Sequence, residues 1–265
     1  MPKLNKPFTE YVFPEDSDGI KNYFQKPTSE FIFEILHISD AFSLCLRRFP
    51  KKKNGDFTQS SLSSHFQLSA GCLCTIMGHF ELYQRFMFAG LIEHSVHLHG
   101  FDFKDAVRRL KSEFQFEIDP SQLLAYRSEG AAVGQIFVDN LPGWHNPTRV
   151  NSYFRAIRPK HTFYSNDQTE DLSILWQLRH SVAHTGGWLS IPDAQKIPKL
   201  SQMQNKALFF EPHFIEAVVR RFHKIAPDCT NRLKLAFDHD VSPQFAASDT
   251  YKNFFDVSSS RKSWL

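Results

Sequence analysis

The sequence predicts an all-α fold, a helical bundle in which motifs for a parallel sheet are missing. Three observations predict it. Apolar residues recur at helical spacing in several long runs, each run is bounded by recognisable caps or stops, and no alternating apolar/polar strand pattern recurs between them. Phenylalanine is over-used, with 27 residues in 265. Such rings fill helix–helix contacts and can leave a surface apolar enough to dimerise.

Residues 1–27 are rich in Pro, Asn, Lys and Asp and read as an irregular N-terminal arm. Thr28-Ser29-Glu30 opens a helix over Phe31–Phe49, which Pro50 ends. Lys51-Lys52-Lys53-Asn54-Gly55-Asp56 is a basic turn. Hydroxyls over Ser60–Ser64 cap a long helix reaching His99, with Gly100 as its stop. Asp102 begins a shorter helix to Phe116, so 28–116 forms a set of N-terminal helices.

A second unit is expected over 117–235. Pro120-Ser121 opens a helical stretch weakened by Gly130 and Gly134, and Pro147 suits the first position of a helix through Ile157. Asp167–His184 is a strong amphipathic helix, stopped by Gly186-Gly187. Ala207–Phe210 reads as a short strand or extended segment, and Pro212–Ile225 as a helix. Residues 236–265, with many Ser, Asp and Asn, read as an irregular tail.

The helix over 167–184 carries the chemistry. Leu172, Leu175, Trp176, Leu178, Val182 and Ala183 gather on one arc, and Arg179 falls inside it. A guanidinium keeps its charge, so it must meet a carboxylate, a phosphate or water. His180 and His184 share a face at i, i+4, whereas Arg179 and His184 are roughly 140° apart on an ideal helix. Imidazoles suit proton transfer near neutral pH, and a guanidinium suits a pentavalent phosphate. Together they match RNA cleavage by the adjacent 2′-hydroxyl, which needs no metal because the nucleophile is already in the substrate.

Arg179-His180-Ser181-Val182-Ala183-His184 resembles the motif of the HEPN ribonucleases: an Arg, a polar residue, a short spacer, then His. The resemblance extends over about residues 120–225, through the Arg149–Phe154 and Phe214–Ile225 helices, and is weaker over 28–116. It implies a HEPN-like bundle with additional N-terminal helices, and a homodimer whose two motif helices build a composite site. Arg179 would bind the phosphate, His184 would act as acid or base, and His180 would be an accessory polar group. It also implies an RNA substrate, no cofactor, and a toxin or antiviral-defence nuclease restrained by a neutralising or regulatory protein. Relatives silenced by tyrosine modification carry Tyr two residues after the motif His, where this chain has Gly186. The alternative reading is a non-catalytic adaptor of the same fold that holds RNA, a nucleotide or a partner protein.

Arg85, Asn151 and Arg155 are further candidates for RNA contact. The Arg47–Lys53 charge run offers phosphate contacts or a solvated loop. Glu93, His94, His97 and His99 could hold a transition metal, but read more simply as a polar helix terminus. His180 and His184 have zincin spacing without the zincin glutamate. Gly-rich phosphate loops and the Gly-x-Ser-x-Gly elbow are missing from the sequence. The four cysteines show no metal-knuckle repeat, Met1–Asp16 has no apolar leader, and the most apolar stretch, Leu68–Ile92, is interrupted by charges. A reduced cytoplasmic protein without a membrane span is therefore expected.

Overall fold

The computed structural model describes residues 19–118 and 132–258, with Ser121, Leu124 and Tyr126 between them. The expected stretch after Pro120 therefore falls largely outside the described residues, as does the arm before Gly19, whereas the rest of that arm is helical rather than irregular. Helices α1 (Gly19–Gln25) and α2 (Pro27–Arg48) are followed by the basic turn and by α3 (Gln59–Ser95). Pro27 occupies the first turn of α2, where its missing N–H costs nothing. The cap of α3 is Thr58, whose hydroxyl accepts the Ser61 N–H at 3.2 Å, slightly upstream of the expected serines. Helix α4 (Phe103–Phe114) starts from the Asp102 cap.

Beyond the gap come α5 (Val133–Asn140), α6 (Pro147–Ile157) and the motif helix α7 (Asn166–Thr185). A two-stranded antiparallel ribbon follows, β1 (Trp188–Leu189) against β2 (Lys206–Ala207), with Trp188 opposite Ala207. Between the strands lie α8 (Ile191–Gln195) and a 3₁₀ turn over Pro198–Met203. The last elements among the described residues are α9 (Phe214–Asp238), α10 (Pro243–Ala246) and α11 (Asp249–Phe254). The all-α expectation holds, and the expected extended segment is a minimal strand that begins at Lys206.

Helix α3 is the axis. Seven consecutive residues, Phe86–Ile92, are buried, so this stretch is covered on every side rather than amphipathic. Tyr83 sits at the centre: its hydroxyl donates to the Ala226 carbonyl at 3.0 Å and lies 3.1 Å from the Thr230 hydroxyl. Thr230 in turn lies 2.6 Å from Thr28 on α2. Phe80 packs on Phe222 at 4.5 Å between ring centroids, and Phe31 meets the Phe222 ring edge-on at 5.5 Å. Each fully buried ring of this kind contributes roughly 1.5–3 kcal/mol. Helix α3, with α2 against it, thus shares one core with the later helices.

The C-terminal segment also departs from expectation. Residues 236–258 are ordered into the end of α9 and two short helices, and Tyr251, Phe254 and Phe255 enter the main core. The serines that suggest a tail are caps: Ser242 and Ser248 accept the Phe245 and Tyr251 N–H groups. The His94 group is likewise structural. His94 and His97 pack on Phe245, with ring centroids 5.2 and 3.8 Å away, and His94 also meets Phe254. Among the described residues, no group of three or more His, Cys, Asp or Glu is placed to hold a metal ion.

Two glycines make opposite predictions. A Cβ at Gly134 would lie 2.2 Å from the Ala89 carbonyl oxygen of α3, whereas a Cβ at Gly71 would meet nothing within 4 Å. Gly134→Ala should therefore destabilise the fold by about 1–3 kcal/mol. Gly71→Ala should stabilise α3 by about 0.5–1 kcal/mol, and urea unfolding midpoints measure both.

Acid sensitivity gives a second prediction. Burial lowers His94 from 6.5 to about 4, with repulsion from His97 adding to it. Burial also lowers His161 to about 4, with the Arg232 and Arg158 charges adding. Both rings fold neutral, so the unfolded chain binds more protons once pH falls below 6.5. Stability should be lost between pH 6.5 and 4, by about 2 kcal/mol per ring at pH 5. His161→Gln should remove about half of the pH 7 to pH 5 change in unfolding free energy attributable to the pair.

Candidate functional site

The motif helix α7 is set from its first turn. Ser165 caps it by accepting the Gln168 N–H at 3.2 Å, and the Gln168 side chain accepts the Ser165 N–H at 3.0 Å. Arg232 of α9 donates to the Phe163 carbonyl at 2.7 Å and to Gln168, tying this end to the bundle. Leu172, Leu175 and Trp176 are buried, Leu178 and Val182 are partly buried, and Ala183 is exposed, outside the apolar arc expected for it. Gln177 and Ser181 take buried positions instead, and their side chains lie 3.4 Å apart.

The other end is fixed by the two glycines. Gly186 adopts φ +62° and Gly187 φ +87°, the left-handed region that penalises a side chain. A Cβ at Gly187 would lie 2.8 Å from the Phe66 ring of α3. The Gly187 N–H donates to the Ser181 carbonyl at 2.9 Å, and the Thr185 hydroxyl donates to that carbonyl at 2.7 Å. The Gly187 carbonyl accepts the Leu208 N–H at 2.7 Å, so the helix end is fastened directly to the segment after β2. Helices α3 and α7 run antiparallel: Tyr164 bonds Gln84 at one end and Gly187 meets Phe66 at the other.

Within that frame Arg179 is half-buried beside Cys74 of α3. Burial raises the Cys74 thiol, and the Arg179 charge pulls it back. The Arg179 Nε is sealed from solvent and has no hydrogen-bond partner, and no carboxylate among the described residues pairs with the guanidinium. His180 and His184 are both exposed, with ring centroids 4.8 Å apart. The imidazoles therefore form a pair facing solvent, and the guanidinium sits on the α3 side of the same two turns.

Two residues join this region without a signal in the motif. One is Cys74. The other is Asp193 of α8, buried and held below the ordinary carboxylate range by hydrogen bonds from Lys196 and Ser190, each at 2.7 Å, with the Lys196 and His180 charges adding. Ser190-x-x-Asp193 is a cap pattern, which marks a helix start but not its return beside His180.

The remaining candidates lie apart. Arg85 is neutralised by Asp139 at 2.8 Å and Glu81 at 3.8 Å. It is eleven residues from Cys74, about 16 Å along α3. Asn151 is buried, donating to the Tyr164 carbonyl at 3.0 Å and accepting the Tyr164 N–H at 2.7 Å, at the start of α7 rather than its end. Arg155 is exposed on α6 and bonded to Ser152 at 3.1 Å. No helix among the described residues is long and apolar enough to cross a membrane.

The fold and these residues define an all-helical protein with an uncompensated arginine and a histidine pair at one helix end. Comparison with known proteins adds no relative: no protein family, curated protein or solved structure matches the chain.

An arginine kept for structure loses its salt bridge when truncated, and stability falls by several kcal/mol. Here there is no bridge to lose. Arg179→Met, which keeps the length and drops the charge, should leave the urea midpoint unchanged or raise stability by up to about 1 kcal/mol.

Proposed function

We propose that the chain is a metal-independent endoribonuclease of the HEPN kind. The observation that carries this reading is the unneutralised guanidinium of Arg179 on the same two turns as the solvent-facing His180–His184 pair. A charge kept half-buried without a partner is a standing cost, and an anionic ligand removes it. In the reaction an imidazole takes the proton of the ribose 2′-hydroxyl, whose oxygen attacks the adjacent phosphorus. The P–O5′ bond breaks, and a second imidazole in its protonated form gives its proton to the leaving oxygen. The products are a 2′,3′-cyclic phosphate and a 5′-hydroxyl, and no water is consumed. In a site shared by two copies, His184 of one copy performs one proton transfer and His184 of the other copy performs the second, Arg179 meets the extra charge on the phosphorane, and His180 supports the pair.

The arrangement is proposed to be completed by a second copy of the chain. Within one protomer Arg179 turns toward Cys74 while the imidazoles face outward, so one phosphate is better met by an imidazole from one protomer and a guanidinium from the other. Trp188, Ile191, Met203 and Phe209, all within the ribbon and loop that follow α7, are exposed apolar side chains of the type that a dimer interface covers. A defence or toxin role in the cytoplasm, held in check by a regulatory protein, belongs to the same proposal. The competing adaptor reading is favoured by one fact, the separation of Arg179 from the imidazoles in the single chain. RNA held without cleavage would follow if no second copy closes the site.

Purified protein incubated with total RNA in excess chelator should generate new ends carrying cyclic phosphate and 5′-hydroxyl groups. Arg179→Ala and His184→Ala should each lower the cleavage rate by about 10²–10³-fold with an unchanged circular dichroism spectrum. Tight RNA binding without new ends would favour the adaptor, and full activity in both variants would refute the assignment.

A further inference from the structure

A cavity of about 630 Å³ opens where the end of α2 meets the basic turn and the approach to α9. Arg47, Lys51, Lys52 and His213 stand on its wall, and Phe57, Leu62 and Pro212 supply apolar surface. The turn is built rather than loose. Lys51 bridges to Phe57 in antiparallel fashion, the Lys52 N–H donates to the Asp56 carbonyl at 2.7 Å, and the Gly55 N–H donates to the Lys52 carbonyl at 3.0 Å. The Ser61 hydroxyl donates to the Pro50 carbonyl at 2.7 Å, which ties the turn to the first turn of α3. Arg47 is steadied by its own helix, its Nε donating to the Ser43 carbonyl at 3.3 Å.

None of Arg47, Lys51 and Lys52 forms an ion pair with a carboxylate of the described residues; Lys51 lies 5.2 Å over the Phe57 ring instead. Asp56, the carboxylate on the wall, is engaged by the Asn54 amide at 2.7 Å. The cavity therefore gathers at least three positive charges against one negative, on a partly aromatic lining. That combination suits a phosphodiester chain with bases attached.

The cavity is also continuous with the motif helix. Leu62 on its wall lies one turn before Phe66, the ring under Gly187. Phe66 stacks on Phe210 at 5.5 Å, and Phe210 on Phe214 at 4.3 Å. Leu208, bonded to Gly187, is separated from His213 by five residue steps, at most about 18 Å of chain. The geometry points to a phosphate subsite: the Arg47–Lys51–Lys52 cavity binds the backbone of a single-stranded RNA that passes the end of α7. This rests on the nuclease reading for the identity of the strand, but not for the binding itself.

The test uses a short fluorescent single-stranded RNA, fully 2′-O-methylated so that it cannot be cleaved. Lys51→Ala/Lys52→Ala and Arg47→Ala should each weaken its binding, the double variant at least tenfold at low salt. The slope of log affinity against log salt should fall by about 0.7 for each phosphate contact removed. Lys104→Ala/Lys111→Ala on α4 removes the same charge elsewhere and should change binding by less than threefold. Unchanged affinity and slope in the cavity variants would overturn the proposal, as would equal weakening in the α4 control. Displacement of the RNA by low-millimolar inorganic phosphate would also overturn it, by assigning the cavity to the free ion. Cleavage of unmodified RNA is scored in parallel. Binding lost in the cavity variants while the wild type makes no new ends leaves this subsite standing and removes the nuclease. Cleavage by the wild type with unaltered binding in the variants does the reverse.

Discussion

The burial of Tyr83 on the middle of α3 is the constraint on which the architecture depends. A phenol taken out of water is tolerable only when its hydroxyl is bonded, and here it donates to the Ala226 carbonyl and lies within hydrogen-bond distance of the Thr230 hydroxyl. Because Thr230 also bonds Thr28, one small polar network fixes the relative rotation of α2, α3 and α9. The rings of Phe31, Phe80 and Phe222 close around it and exclude water. The same α3 then receives α7 along its earlier turns, so the placement of Arg179 beside Cys74 follows from the placement of Tyr83.

A helix docked in this way would gain stability from an apolar residue at position 179. The chain instead places a permanent charge there, with a sealed Nε and no carboxylate opposite it. The other partly buried arginines differ. Arg85, Arg109 and Arg158 all have carboxylate partners, and Arg232 donates to a carbonyl and to Gln168. Sequence composition does not force the difference, since acidic residues are about as numerous as basic ones. An unpaired, half-buried guanidinium costs stability, and the anionic ligand proposed above would offset that cost.

The sequence made the helices legible because their ends carry explicit chemistry. Pro147, Asp102 and Gly186 act through bonds among near neighbours, and each bounds an element where the pattern places it, whereas the Ser165 box starts the motif helix just ahead of the expected Asp167. The motif helix was legible for the same reason, together with the oddity of Arg179 on its apolar arc. What stayed hidden depends on contacts between distant residues. Ser242 and Ser248 look like tail residues until Phe254 is seen filling the space over Gly90. Asn151 and Arg85 look like ligands until Tyr164 and Asp139 are found to occupy them. Cys74 and Asp193 approach the motif only through the α3–α7 packing and the reversal at Gly186-Gly187.

That reversal also explains why the histidine pair and the basic cavity share one end of the molecule. Gly187 can lie on Phe66 only because it lacks a Cβ, and this close approach brings the Leu208 N–H onto the Gly187 carbonyl. From there the chain has six residues, 208–213, in which to reach α9. Phe210 is held on the way by Phe66 and Phe214, and that route delivers Pro212 and His213 to the wall beside Arg47 and Lys51. A bulkier residue at 187 would lift the segment from α3 and separate the two charged regions. The glycine pair therefore acts twice: it ends the helix that carries the imidazoles, and its close packing on Phe66 starts the segment that reaches the basic cavity.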